Sequence, residues 1–511
     1  MIDLNAFDPD DKGEIDRLDA ALQAMAADKA VEIAARLVCL HPGAVDALHL
    51  LGVNLPRLRA FVSAHRAAIC GGRADPRHYK CAILQGRITA HLGDYASAAD
   101  HYYRAALFAP DPIKAQLYYE IGHARTSLNR MDLAIGAYTK AVCLDPAGAA
   151  AWYNLSCALG EVEAYEPSLI QCRRAAQIDP LSKVLNSGLA FSYMCLGRLV
   201  EGQAIYFRRH AGAAYTQNGW RPIPRWDGRQ DIGAKRLLVY CEGGYGDAIQ
   251  YMRYLPLLTD KGWRLAVHVP RGMKAVFKMI PGLDLVVEDG GIPPMADLAY
   301  SIMDLAHAFG TDLASIPKAA GYLTPNAAYA DKWRTILGDK GKPRIGLAWR
   351  GNPSHVNDRR RSLPIGDLGP LLINRDVDWH QVQLGRTKDE QAFLDDHELV
   401  LHDHSTKIAD LMDTTALIDQ MDMIITVDTV SAHLGGALGK PTFVMLPRPC
   451  DHRWLIARDT SPWYSTIKLI RQPQAGDWAA VVHALGPELL SLTQGIWPES
   501  RANTPNHQNM S

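Results

Sequence analysis

The chain has 511 residues, with 54 Lys and Arg against 55 Asp and Glu, 48% hydrophobic and 21% charged residues. At about 100–200 residues per domain this suggests two to four domains, and a net charge of −1 offers no global attraction to nucleic acid or an anionic membrane. No run approaches the about 18 apolar residues of a membrane span, the acidic start MIDLNAFDPDDKGEID lacks the order of a signal peptide, and the nine cysteines never stand as C-x-x-C. The expectation is a cytoplasmic multidomain protein with reduced thiols, no transmembrane segment and no nucleic-acid partner.

The first 210 residues repeat. Pro42, Pro76, Pro110, Pro146 and Pro180 stand 34, 34, 36 and 34 residues apart. Before three of them the same positions carry the same kind of residue: Ala98, Tyr102 and Ala105, then Ala134, Tyr138 and Ala141, then Ser168, Cys172 and Ala175. Leu51-Gly52, Ile121-Gly122 and Trp152 with Leu155 mark the preceding helices. Small residues let two antiparallel helices approach, and the proline ends the second because it has no backbone donor. This resembles the tetratricopeptide repeat, over residues 14–214, with a degenerate last unit from Asn186 to Arg209 as a cap. The resemblance implies an α-solenoid whose groove takes a protein or peptide partner.

Over 215–235 the periodicity stops in TQNGWRPIPRWDGRQDIGAK, a linker or a packed connecting segment. Beyond it short apolar runs alternate with amphipathic helices, the pattern of an α/β region with parallel sheets. Strands are expected at 236–242, 264–270, 283–289, 344–351, 378–385, 423–429 and 441–447. Helices are expected at 246–258, 271–280, 408–421, 430–438 and 477–492. Two α/β halves meet near GDKGKP (338–343), giving Rossmann-like domains at 236–340 and 341–495, and the polar tail 496–511 reads as disordered.

The segment Cys241–Asp247 follows a strand and opens a helix as a phosphate loop would, but Ile249 stands where G-x-G-x-x-G needs its third glycine. No G-x-x-x-x-G-K-[ST] occurs, which argues against a nicotinamide enzyme and a P-loop ATPase. In the second half, Asp428-Thr429-Val430-Ser431-Ala432-His433 sits where a strand turns directly into a helix. Free backbone donors, the helix dipole and the hydroxyls of Thr429 and Ser431 make that place an anion site.

The pattern D-T-x-x-x-H-L-x-x-A-L-G-x-P (428–441) resembles the sugar-nucleotide segment of the ADP-heptose:lipopolysaccharide heptosyltransferases, glycosyltransferase family nine. The G-x-G-D of Gly244 to Asp247 resembles that family's N-terminal motif. GLAWRGN (346–352) and DHRWLIARDTSPWY (451–464) look like a bacterial subgroup that joins such domains to tetratricopeptide repeats. The resemblance, over about 235–490, implies the GT-B fold, with an acceptor-side first half and a nucleotide-sugar-side second half. It implies Asp247 as catalytic base, although a capping Asp is equally common at a helix start. It implies nucleotide-sugar binding by Gly244, Gly246, Asp428, Thr429, Ser431 and His433.

The leaving diphosphate calls for positive charge. Arg350 at a strand end and the run Arg359, Arg360, Arg361 are the candidates; Gln383 occupies a family-like place, and Arg386 has positional support. Trp454 and Ser461–Tyr464 read as core packing. Asp376-Val377-Asp378 and Asp8-Pro9-Asp10 have the D-x-D spacing of a metal site but read as turns, so no metal and no cofactor beyond the nucleotide-sugar co-substrate is expected. The expected activity is metal-independent transfer of a sugar, with inversion, to a hydroxyl of a protein recruited by the repeats. The alternatives are a glycan or lipopolysaccharide-core transferase and a scaffold whose transferase domain no longer turns over.

Overall fold

The computed structural model describes Ile69 and residues 77–493, apart from 211–213, 218, 219, 318–320 and 356. The repeat marks at Pro42, Leu51-Gly52 and Pro76, the Asp8 and Asp10 pair and the tail at 496–511 lie outside the described residues. The chain divides into two compact units, one ending at Leu189 and one beginning at Ala190.

In the first unit, helices Tyr79–His91, Tyr95–Phe108, Asp111–Ser127, Met131–Leu144, Ala149–Glu161 and Tyr165–Ile178 form successive antiparallel pairs. The positions that recur in the sequence are the ones this packing buries: Ala98, Ala105, Ala134, Cys172 and Ala175 are fully buried, and Tyr102 and Tyr138 nearly so. A glycine lets each tyrosine in. A Cβ built on Gly86 would lie 2.5 Å from the Tyr102 ring, and one on Gly122 would lie 2.5 Å from the Tyr138 ring. The glycine and tyrosine therefore form one packing unit, close-packed like any protein interior.

The second unit begins with the end of helix Lys183–Cys195 and the helix Leu199–Phe207, and continues into two parallel sheets. β1 (Arg236–Tyr240), β2 (Arg264–Val269), β3 (Leu283–Glu288) and β4 (Leu298–Ser301) stand in the order β3-β2-β1-β4. β5 (Arg344–Ala348), β6 (Asp378–Gln381), β7 (Met423–Val427), β8 (Thr442–Leu446) and β9 (Ile467–Arg471) stand in the order β6-β5-β7-β8-β9. Every pairing is parallel. The central strands β5, β7 and β8 are buried at every position, as continuous apolar runs in doubly covered parallel sheets are.

All seven expected strands form, each shortened at its carboxyl end where the chain turns out of the sheet. β4 and β9 are additional. The expected helix at 246–258 is three pieces: an α-helix Tyr245–Tyr251, a tighter turn Met252–Tyr254 and an α-helix Leu255–Thr259. Pro256 has no N–H to give the Met252 carbonyl, which the Leu255 N–H takes instead. The segment expected at 271–280 is helical only over Lys274–Phe277, after Gly272 at φ 86°.

Residues of the 215–235 segment pack onto the first sheet. Tyr215 bridges Ile223, Trp226 N–H donates to the Ala299 carbonyl at 3.0 Å beside β4, and Ile223, Trp226 and Ile232 are buried. One hydrophobic core runs from Leu237 and Val267 of the first sheet to Ile424 and Val444 of the second. The helices Tyr245–Tyr251 and Val430–Leu438 pack on each other between the sheets. Among the described residues, no helix is long and apolar enough to cross a membrane.

Candidate functional site

Two loops at the carboxyl ends of parallel strands meet at this helix contact. The first leaves β1 as Cys241–Gly244 and enters the helix Tyr245–Tyr251; the second leaves β7 as Asp428-Thr429 and enters the helix Val430–Leu438. Thr429 is the residue before that helix, in extended conformation, with its hydroxyl 3.3 Å from that of Thr426. Gly439, at φ 75°, ends the helix in the left-handed region that favours glycine. The Asp428, Ser431 and His433 side chains are buried.

Gly246 and His433 are the point of closest approach. A Cβ on Gly246 would lie 2.5 Å from His433 Cδ2, so only glycine fits. Gly244 is different, since a Cβ there would meet only Asp247 Oδ2 at 3.6 Å. The His433 Nδ1 lies 2.8 Å from the Tyr464 hydroxyl and its Nε2 lies 3.4 Å from Arg453 Nη1. Burial, with the Arg453 charge beside it, holds this imidazole well below its ordinary range, so it is neutral at pH 7.

Asp247 caps its helix and does something more. Its Oδ2 accepts from the Gly244 N–H at 2.8 Å, and its Oδ1 accepts from Arg453 Nη2 at 2.8 Å. Arg453 also reaches Asp451 at 3.1 Å, and Asp451 lies 2.9 Å from His452 Nδ1. Burial works against the Arg453 charge, but Asp451, Asp247 and Asp428 more than reverse that and hold the guanidinium above its ordinary range. Burial raises the Asp428 carboxyl, with Arg453 opposing. Burial would raise Asp451 too, but Arg453 and His452 hold it well below the usual carboxylate range. A cavity of about 400 Å³ opens beside this group, between Glu242, Asp247, Asp451 and Arg453 on one side and Phe191 and Tyr206 on the other.

The basic candidates divide. Arg361 Nη1 donates to the Asp428 carbonyl at 2.8 Å and its Nε to Asp358 at 3.2 Å, so it braces the β7 loop. Arg359 and Arg360 are exposed on the same short helix. Arg350 pairs with Glu390 at 3.1 Å and donates to the Gly385 carbonyl at 2.9 Å. Gln383 accepts the backbone N–H groups of Trp349 and Arg350 at 2.8 and 3.1 Å, tying the ends of β5 and β6, and its Nε2 is buried without a hydrogen-bond partner. Arg386 is held by Gln381, Gln391 and the Leu401 carbonyl. Trp454, Trp463 and Tyr464 are core residues. Asp376 precedes β6 and Asp378 is its first residue, at the end of the sheet away from these loops. Among the described residues, no group of three His, Cys, Asp or Glu side chains is arranged to hold a metal ion.

Sequence reasoning passed over Arg453 and Asp451. The signal was there, because both lie in the segment 451–464 that carries the family resemblance.

A tetratricopeptide repeat model matches residues 115–147, the third and fourth described helices. Protein FlbA of Caulobacter vibrioides is 25% identical over 458 residues, spanning 83% of this chain and 74% of FlbA. Among solved structures, MamA from Desulfovibrio magneticus is 18% identical with a TM-score of 0.31, over 33% of this chain and 93% of that one. YrrB, a TPR protein with an unusual peptide-binding site, is 14% identical with a TM-score of 0.32, over 36% of this chain and 95% of that one.

Proposed function

We propose that the α/β region is a glycosyltransferase that moves a sugar from a nucleotide sugar to a hydroxyl, and that the tetratricopeptide repeats recruit a protein to supply that hydroxyl. One observation carries the reading. The Gly244–Asp247 segment of the first half and the Asp428–His433 segment of the second touch through Gly246 and His433 beside a cavity large enough for a sugar ring. Ligands of open parallel α/β folds bind at the carboxyl ends of strands, where both segments lie.

The chemistry follows from those groups. The acceptor oxygen attacks the anomeric carbon while the bond from that carbon to the diphosphate oxygen breaks. The electron pair leaves with the nucleoside diphosphate, and the hydroxyl proton passes to the Asp247 carboxylate. Each carboxylate oxygen has two lone-pair sites, so Asp247 can hold Gly244 and Arg453 and still take a proton. The N-terminus of the helix after Thr429 offers backbone donors for the developing negative charge, and Arg453, paired with Asp247, is a fixed cation on the cavity wall. Delivery of the acceptor by the repeats would raise its effective concentration.

The test is release of nucleoside diphosphate from a panel of nucleotide sugars, with and without a chelator. Asp247→Asn should reduce turnover at least about 100-fold, in the range of general-base removal, with nucleotide affinity within about twofold. Full turnover by Asp247→Asn would remove Asp247 from the chemistry. A second reading, a nucleotide-binding scaffold without transfer, draws on the engagement of both Asp247 oxygens; binding without release would select it.

A further inference from the structure

The cavity beside Asp247 is closed on one side by residues that precede the sheets. Phe191 lies near the end of the Lys183–Cys195 helix, and Tyr206 lies in the Leu199–Phe207 helix. Their rings are 5.4 Å apart. The Phe191 ring also stacks on His452, with centroids 4.8 Å apart and planes at 24°. Behind Tyr206, Arg209 lies 3.7 Å over the ring and forms ion pairs with Glu242 and, at 2.6 Å, with Asp304.

These contacts go to the loop after β1 and to the turn after β8 that carries Arg453. Glu242 belongs to the loop that leads from β1 into Asp247, and Ser301 at the end of β4 donates to the same carboxylate. His452 sits between Asp451 and Arg453, in a short turn after β8, and both neighbours contact one another. We infer that this helical pair is a clamp on the cleft, in which Phe191, stacked on His452, positions Arg453 and through it the Asp247 carboxylate. Arg209 holds the loop after β1, and Phe191 holds the turn after β8. The three-residue turn His452–Trp454 is anchored in the core at its far end by Trp454, and the ring stack on His452 holds its near end, where Asp451 and Arg453 lie. Phe191 has no polar atom to offer a ligand, and His452 and Tyr206 flank its ring, so its part is positioning. The consequence for turnover rests on the transferase reading; the consequence for Arg453 does not.

The test uses the full chain carrying labelled arginine. The Arg453 Nε–H signal is identified by its loss in Arg453→Lys. Phe191→Leu keeps the apolar volume and removes the ring, while Phe191→Tyr keeps the ring. Solvent exchange of the Arg453 Nε–H should be at least about fivefold faster in Phe191→Leu, and within about twofold of wild type in Phe191→Tyr. With a nucleotide sugar that is turned over, kcat should fall about tenfold in Phe191→Leu with KM for the donor little changed, and Phe191→Tyr should restore it. Unchanged Arg453 exchange in a folded Phe191→Leu protein overturns the inference. If wild type turns over no nucleotide sugar, the transferase reading falls, and the exchange comparison still decides the clamp.

Discussion

Asp247 and Arg453, separated by 206 residues, are joined by a 2.8 Å hydrogen-bonded ion pair across the contact between the two sheets' helices. The pair links the loop after β1 to the turn after β8, and its side chains are only 15% and 16% exposed. Breaking a pair that is this buried leaves a charge without its partner, which costs far more than a surface pair is worth.

Replacing Arg453 with Met should therefore destabilise the α/β region by about 3–5 kcal/mol, the range for removal of one partner of a buried pair. The sign with pH follows from Asp451, whose carboxyl lies well below its ordinary value in the folded protein. Its contribution is present above the unfolded carboxylate pKa and is lost as pH falls through the lower folded value. Urea denaturation should thus show wild type and Arg453→Met far apart at pH 7 and converging in acid. Equal midpoints at pH 7 would mean the guanidinium is not holding the carboxylates.

The Gly246 position gives a sharper steric contrast. Gly246→Ala places a methyl 2.5 Å from His433, which is itself pinned by Tyr464, whereas Gly244→Ala meets only the end of Asp247 at 3.6 Å. Overpacking of a fixed core should cost Gly246→Ala about 1–3 kcal/mol, and Gly244→Ala much less. Thermal denaturation of the two variants decides it, and equal midpoints would contradict the close approach.

In the repeats, Gly122 and Tyr138 should behave as one unit. Gly122→Ala should destabilise the helical region, Tyr138→Leu should do so as well, and the double variant should recover part of the sum. A coupling of about 1 kcal/mol or more is expected for residues in direct contact. Additive effects in a double-mutant cycle would mean that the ring does not occupy the glycine's space.

Two buried histidines in a cluster of three provide a pH dependence away from the site. His380, His402 and His404 stack, with His380 Nδ1 at 3.0 Å from His404 Nε2. Burial pushes His380 down to about 3 and His404 to about 4. Between those values and the ordinary 6.5 of the unfolded chain, the unfolded state binds more protons, so stability falls as pH drops from about 6.5 towards 4. His380 and His404 each contribute a slope of about 1.4 kcal/mol per pH unit there. His380→Gln should flatten the acid limb by about one proton. An unchanged slope would show that His380 titrates normally.

Much of this architecture was legible because it is local or periodic. The proline spacing located the repeats, and Ala98, Tyr102 and Ala105 recur because each turn of the solenoid buries them alike. Strands such as Met423–Val427 announce themselves as apolar runs, since both of their faces are covered. β4 was hidden because four residues, Leu298–Ser301, are too few to show a period before the chain turns. β9 lies at the sheet edge with a mixed pattern of burial, so Lys468 and Arg471 masked it. The site divides in the same way. Asp247, Asp428 and His433 were visible because each lies in or just after a turn from a strand into a helix. The roles of Arg350 and Arg361 were not, because Glu390 and the Asp428 carbonyl, the groups that engage them, lie 40 and 67 residues away. Arg453 was obscured for the same reason, since Asp247, which it pairs with, lies 206 residues away.

The most direct measurement is calorimetric binding of nucleoside diphosphates and nucleotide sugars to the full chain, with a chelator present, comparing wild type with Asp428→Ala. The account predicts that one nucleotide class binds without metal and that Asp428→Ala weakens it at least about tenfold, as loss of about 1.4 kcal/mol would. No nucleotide binding by folded wild-type protein would contradict it.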